Sequence, residues 1–177
     1  MGSEMCIRDR FGDGLSGHHD EQAGEQLRPR ALKARFGALS RVWLLWVLAY
    51  ETGRVIKDGG GFSRFGVVKR TRGEALSVTR NDAADHALGF IRRFQRDYEH
   101  SIRHSPVRSV EMLDFAWNAG WRSLDQALSH PGGFQAGRLH HYRVVSEQPR
   151  YRGRSFLKGW LNRVRRLRSH MRSYLET

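Results

Sequence analysis

Val42-Trp43-Leu44-Leu45-Trp46-Val47-Leu48-Ala49-Tyr50-Glu51-Thr52-Gly53-Arg54 sets the first boundary of the fold. An unbroken apolar run meets one carboxylate and then a glycine. This predicts a helix that begins near Ala31, is hydrophobic on every side and fully buried at the centre of the domain, and ends at Gly53. Glu51 then lies at a helix C-terminus, where the last carbonyls present partial negative charge, so helix chemistry does not explain an anion there. Two explanations remain open. A carboxylate beside apolar bulk can keep a proton near neutrality and act as a general acid, or Glu51 pairs with one of the many arginines of the chain.

The next stretch is Lys57-Asp58-Gly59-Gly60-Gly61-Phe62-Ser63-Arg64-Phe65-Gly66-Val67. Three consecutive glycines after an aspartate, and a further glycine at Gly66, predict a tight turn or short hairpin in which backbone approaches something closely. Such a hairpin would turn a second carboxylate, Asp58, and a hydroxyl, Ser63, toward Glu51.

Together these two stretches resemble the glycoside hydrolase family 108 N-acetylmuramidases of the phage-type lysozyme group. The family pattern is roughly E-G-G-Y, a spacer, then D-P-G-G-x-T-x-Y-G-I. Here it stands as Glu51-Thr52-Gly53-Arg54 and as Asp58-Gly59-Gly60-Gly61-Phe62-Ser63-Arg64-Phe65-Gly66-Val67. Thr52 and Arg54 replace a glycine and a tyrosine, Gly59 replaces a proline, and the spacer is about two residues shorter. Asp114-Phe115-Ala116-Trp117-Asn118-Ala119-Gly120 resembles the family's F-D-x-A-x-N-x-G segment. Phe156-Leu157-Lys158-Gly159-Trp160-Leu161-Asn162-Arg163 resembles its closing F-L-x-G-W-x-N-R helix.

The remaining helices are read from caps and periods. Thr79 with Asp82 three residues on marks a helix start, followed by Ala84, Ala87, Leu88, Ile91, Phe94 and Tyr98 on one face. Ser105-Pro106 opens a second helix that carries Val107, Val110, Leu113 and Trp117 inward and ends at Gly120. Short helices are expected from Trp121 to Ser129 and from Gly137 to Val145, separated by His130-Pro131-Gly132-Gly133. Phe156, Trp160, Val164, Leu167, Met171 and Tyr174 form one apolar stripe on the last helix, with Lys158, Arg165, Arg166, Arg168 and Arg172 on the opposite, solvated side.

Composition bounds what these pieces can be. The 177 residues are long enough for a core without disulfides, and 31 Lys+Arg against 18 Asp+Glu give a formal charge of +13, which favours a polyanionic partner. The single cysteine, Cys6, excludes an intrachain disulfide framework and a cysteine-rich zinc site. Met5-Cys6-Ile7-Arg8-Asp9-Arg10 resembles a translated sequencing-adapter artefact, and His18-His19 lacks further spaced ligands for a metal. The longest apolar run, Val42–Tyr50, is nine residues, short of the roughly 20 that cross a bilayer. No secretory signal, phosphate loop, nucleophile elbow or dinucleotide fingerprint is visible.

The expectation is therefore a mainly α, lysozyme-like helical domain with a small irregular β-hairpin or glycine loop after the first long helix. Residues 1–30 form a disordered leader, 31–104 a catalytic part, and 105–177 a helical part that packs on it and corresponds to a shortened peptidoglycan-binding region. What the resemblance implies is a muramidase that cleaves the β-1,4 bond between N-acetylmuramic acid and N-acetylglucosamine. Glu51 is its general acid, Asp58 the base or charge stabiliser and Ser63 the water-positioning hydroxyl, while Gly61, Phe65 and Asn118 contact substrate. It needs no metal or cofactor, its partner is peptidoglycan rather than a specific nucleic acid, and it acts as a monomer without membrane insertion. Without a signal peptide it is expected in the bacterial cytoplasm until a phage holin releases it, or in a virion. The competing reading is a catalytically impaired basic protein of the same fold that binds cell wall or nucleic acid.

Overall fold

The computed structural model describes residues 29–58, 61–102, 105–149 and 156–176. Cys6 and His18-His19 lie outside them. Among the described residues the chain runs through helix α1 (Pro29–Tyr50), strands β1 (Ile56–Asp58), β2 (Gly61–Arg64) and β3 (Val67–Lys69), then helices α2 (Arg72–Ser77), α3 (Arg80–Asp97), α4 (Glu99–Ile102), α5 (Pro106–Ala119), α6 (Trp121–Leu128), α7 (Gly133–Ser146) and α8 (Phe156–Leu175). It is mainly α, with one small antiparallel sheet directly after the first long helix.

Local chemistry explains most boundaries. Thr79 and Asp82 satisfy each other's backbone amides in a reciprocal capping box at the start of α3. Ser105 accepts from the Arg108 amide and Pro106 occupies the first turn of α5, which closes at Gly120 with φ 87°. The same reciprocal cap forms between Thr71 and Glu74 and starts α2, a helix the sequence reading did not anticipate. α7 starts at Gly133, four residues earlier than expected, because Gly133 takes φ 74° and turns the chain into the helix.

Three features of α1 and the sheet differ from expectation. α1 is not buried all round: Phe36, Leu39, Ser40, Trp43 and Val47 face inward, whereas Leu45 is 71% exposed, because the helix packs on α3, α5 and α8 along one stripe only. It ends at Tyr50, and Gly53 does not act through a left-handed cap. A Cβ there would lie 2.9 Å from the Phe65 ring, so close approach explains that glycine. The glycine-rich stretch forms three strands in the order β1-β2-β3 rather than a single hairpin. A main core from α1 to α8 joins residues on both sides of position 104, and Leu48 links it to a smaller cluster of Phe65, Val67, Val78 and Ala83.

Candidate active site

Glu51 follows α1 directly, and its amide still donates to the Val47 carbonyl at 2.9 Å, so the helix fixes its backbone. The sheet fixes the residues after it. The β2–β3 turn consists of Phe65 and Gly66, both at positive φ (52° and 80°), as a two-residue turn matched to strand twist requires. A phenylalanine in that region is uncommon and needs support. Here the Phe65 amide donates to the Thr52 carbonyl at 2.9 Å, its ring packs on Gly53, and the Arg64 and Arg80 guanidiniums lie over the ring at 5.1 and 5.4 Å. Arg64 Nε also donates to the Gly53 carbonyl at 2.9 Å. The tip of the sheet is thereby fastened to the two residues that follow Glu51.

From the other side comes Arg163 of α8. Its Nη1 donates to Glu51 Oε1 at 2.9 Å, while Nε and Nη2 grip Asp114 Oδ2 and Oδ1 at 3.1 and 2.9 Å. Asp114, on α5, also accepts from Trp43 Nε1 at 3.0 Å, and Asn118 donates to the Asp114 carbonyl at 2.7 Å. The Arg163 guanidinium lies 4.6 Å from the ring centre of Tyr50 and 5.0 Å from that of Trp46, and these two rings stack at 4.9 Å. Burial alone would push the Arg163 guanidinium toward losing its proton. The charges and hydrogen bonds of Asp114, then of Glu51, outweigh that and lift it above the ordinary arginine range, so it is a permanent cation.

Exposure separates the two carboxylates. The Asp114 side chain is 4% exposed and Glu51 is 19% exposed, so Asp114 is the internal anchor and Glu51 the rim. Among the described residues Glu51 Oε2 accepts no hydrogen bond, and no buried side-chain polar atom lacks a partner, so Oε2 faces solvent. Beside it Tyr50 leaves 43% of its surface exposed, which gives the rim an aromatic flank. Two carboxylates share one guanidinium, so the group carries a surplus negative charge within a strongly cationic chain.

The other expected site residues divide. Ser63 sits in β2 opposite Ile56 and Val68, half-buried, with no hydrogen bond to its hydroxyl among the described residues. Asp58 closes β1 with its backbone paired to Gly61, but its side chain lies outside the described residues. Phe65 is turned inward at 7% exposure, which corrects its expected role: it braces the turn and has no open face for a sugar. Gly61 is required because a Cβ at its φ of 139° would lie 2.4 Å from the Lys69 carbonyl, so strand packing accounts for it. Asn118 Nδ2 donates back to the Asp114 carbonyl at 2.7 Å and more weakly to Asp114 Oδ2 at 3.4 Å, both within α5, so its amide nitrogen is engaged inside its own helix.

The sequence reading missed Arg163 as a site residue, although its place was visible. Arg163 falls three residues after Trp160 and four before Leu167, which puts an arginine within the apolar stripe of α8. Arg168, expected on the solvated side, instead pairs with buried Glu111. Among the described residues no group of three or more metal-ligating side chains occurs, and no helix is long and apolar enough to cross a membrane. No protein-family model, curated protein or solved structure matches the chain.

Proposed function

We propose that this chain is a peptidoglycan hydrolase, a muramidase that cleaves the β-1,4 bond between N-acetylmuramic acid and N-acetylglucosamine, with Glu51 as proton donor. The observation that carries the reading is the geometry of Glu51. One oxygen is held by Arg163 at 2.9 Å while the other is open to solvent beside an exposed aromatic ring. Arg163 fixes one carboxyl oxygen and leaves the other free to reach the glycosidic oxygen, and proton donation requires the ion pair with Arg163 to open as substrate binds. Once Glu51 has given up its proton the Glu51–Arg163–Asp114 group carries one surplus negative charge, which suits a reaction that develops an oxocarbenium ion at the same moment, because anionic surroundings stabilise that charge. The ordered sequence resemblance to family 108 supports the same assignment and supplies the substrate class.

In this mechanism Glu51 gives its proton to the leaving oxygen as the glycosidic bond breaks. Asp58 takes a proton from the water that attacks the sugar carbon, or stabilises the positive charge directly, and the free hydroxyl of Ser63 orients that water. The protein would act on the bacterial wall as a phage or prophage endolysin, released by a holin or carried in a virion.

One observation favours the non-catalytic alternative. The ion pair with Arg163 also gives Glu51 a structural use in a basic protein that merely binds wall or nucleic acid. The test is reducing-end release from purified peptidoglycan by the wild-type chain and by Glu51→Gln, with circular dichroism on both. The expected result is activity in the wild type and a loss of several orders of magnitude in the variant, with the fold intact. Full activity in the variant overturns the assignment of Glu51. An inactive wild type that binds peptidoglycan or DNA selects the alternative.

A further inference from the structure

On α5, α7 and α8, away from Glu51, lies an open recess of about 650 Å³. Its floor is Glu111, only 3% exposed, and that carboxylate is saturated. Oε1 accepts from Arg168 Nε at 2.6 Å, and Oε2 accepts from Arg168 Nη2 at 3.1 Å, from Gln135 Nε2 at 2.9 Å and from Arg138 Nη1 at 3.3 Å. Gln135 has its remaining amide oxygen occupied by Arg138 Nη2. Burial opposes the charge on Glu111, but the hydrogen bonds from Arg168 and Gln135 and the charges of Arg138 and Arg168 outweigh it and hold the carboxyl below its usual range.

The walls are different. Arg108 and Arg172 line the recess with exposed guanidiniums, and among the described residues neither side chain has an ion pair or hydrogen bond. Ser105, also on the wall, uses its oxygen to accept from the Arg108 amide and keeps its hydroxyl proton for donation. Three guanidiniums (Arg108, Arg168 and Arg172) and one carboxylate line the recess, a surplus of two positive charges, buried Arg138 adds a further cation behind Glu111, and the unused polar groups on the walls are donors. A ligand that fits must bring several acceptor oxygens and more than one negative charge.

We infer that this recess binds a diphosphate-type anion. Planar guanidinium forks match phosphate oxygens two at a time, and a diphosphate supplies both the charge and the span that a single carboxylate lacks. The ordinary alternative is that these arginines are part of a diffuse basic surface, and α8 contains its own control. Arg165 and Arg166 are also exposed on the same helix but do not line the recess. The inference is independent of the role given to Glu51.

The test is isothermal titration calorimetry of the full chain with inorganic pyrophosphate at 150 mM salt, a condition of the assay at which surface charges are screened beyond about 8 Å. The expected result is saturable one-to-one binding, weakened about a hundredfold in Arg108→Ala/Arg172→Ala, roughly tenfold per charged hydrogen-bonding group. Arg165→Ala/Arg166→Ala removes the same charge and should stay within about threefold of wild type, since those groups lie outside the recess. Thermal melts establish that both variants fold, and the single variant Arg172→Gln, expected to lose about tenfold, serves if the first double variant does not. Equal weakening in both double variants overturns the inference in favour of a diffuse field. Absence of saturable binding overturns it outright. Binding to phosphatidylglycerol vesicles through Arg108 and Arg172, without pyrophosphate binding, overturns it in favour of a membrane surface.

Discussion

Replacing Arg163 by methionine should cost about 3–5 kcal/mol of folding stability, the usual consequence of removing one partner from a buried ion pair. The stem of methionine fills most of the volume of the arginine and can still pack on Trp46 and Tyr50, so the cavity contribution is small. What remains is the Asp114 carboxylate, 4% exposed, stripped of donors at 3.1 and 2.9 Å and left with Trp43 Nε1 at 3.0 Å and a long contact to Asn118 at 3.4 Å. Glu51 contributes little to the loss, because at 19% exposure its carboxylate rehydrates. A domain with roughly 5–15 kcal/mol of stability gives up roughly a fifth or more of it, and the melting temperature should fall by roughly 6–20 °C. Urea and thermal unfolding followed by circular dichroism measure this. Adding Asp114→Asn to Arg163→Met removes the uncompensated charge and should recover much of the loss. Glu51→Gln alone should cost about 1 kcal/mol or less. If Arg163→Met stays within about 1 kcal/mol of wild type, or the double variant is no better than the single, Asp114 is not the anchor of this network.

Gly66→Ala should destabilise by at least about 2 kcal/mol, since φ is 80° and the new Cβ would lie 2.6 Å from Trp117 Cζ2. Gly89→Ala, in an exposed stretch of α3 with nothing within 4 Å, should instead stabilise by about 0.5–1 kcal/mol; thermal melts of the two variants check both signs. Glu111 is held below its usual range when folded, so its contribution is present above about pH 4.3, the ordinary Glu value, and is lost as pH falls through the lower folded value. Denaturant titrations should therefore show the stability gap between wild type and Glu111→Gln closing as pH drops below about 4, whereas a constant gap would contradict the pairing with Arg168 and Arg138. In kinetics on peptidoglycan, Asp58→Asn should lose most of kcat and Ser63→Ala a smaller factor, and the reverse order would exchange their roles.

What was legible in the sequence was local. The caps at Thr79 and Ser105 could be read because donor and acceptor lie within four residues. Thr71-Arg72-Gly73-Glu74 carries the same signal, but a helix of six residues with a glycine in its first turn has no period to confirm it. The strands, three or four residues each, are too short for alternation to show, and only their glycines announced them. At the candidate site, Glu51 stood out because an anion at a helix C-terminus lacks a local reason. Its partner did not, because Arg163 is 112 residues away and pairings at that separation depend on packing that periodicity cannot supply. A motif position alone points Phe65 toward substrate. Its burial follows from the turn, which forces the ring back onto Gly53.

The two candidate sites share one structural cause. α5 carries buried carboxylates at Glu111 and Asp114, three residues apart and therefore on one face, and α8 answers with Arg168 and Arg163. These two grips fix how far α8 can slide along α5, because shifting either helix by a residue would strand at least one buried charge. Arg163 then keeps its Nη1 for Glu51 and holds the rim of the candidate active site. Arg168 neutralises the floor of the recess and leaves Arg108 and Arg172 free to meet an anion. The excess of arginine in this chain is therefore of two kinds. Some of it is internal and sets helix register, and the remainder, on the walls of the recess, the outer face of α8 and the exposed faces of α1 and α3, is available to a polyanionic partner.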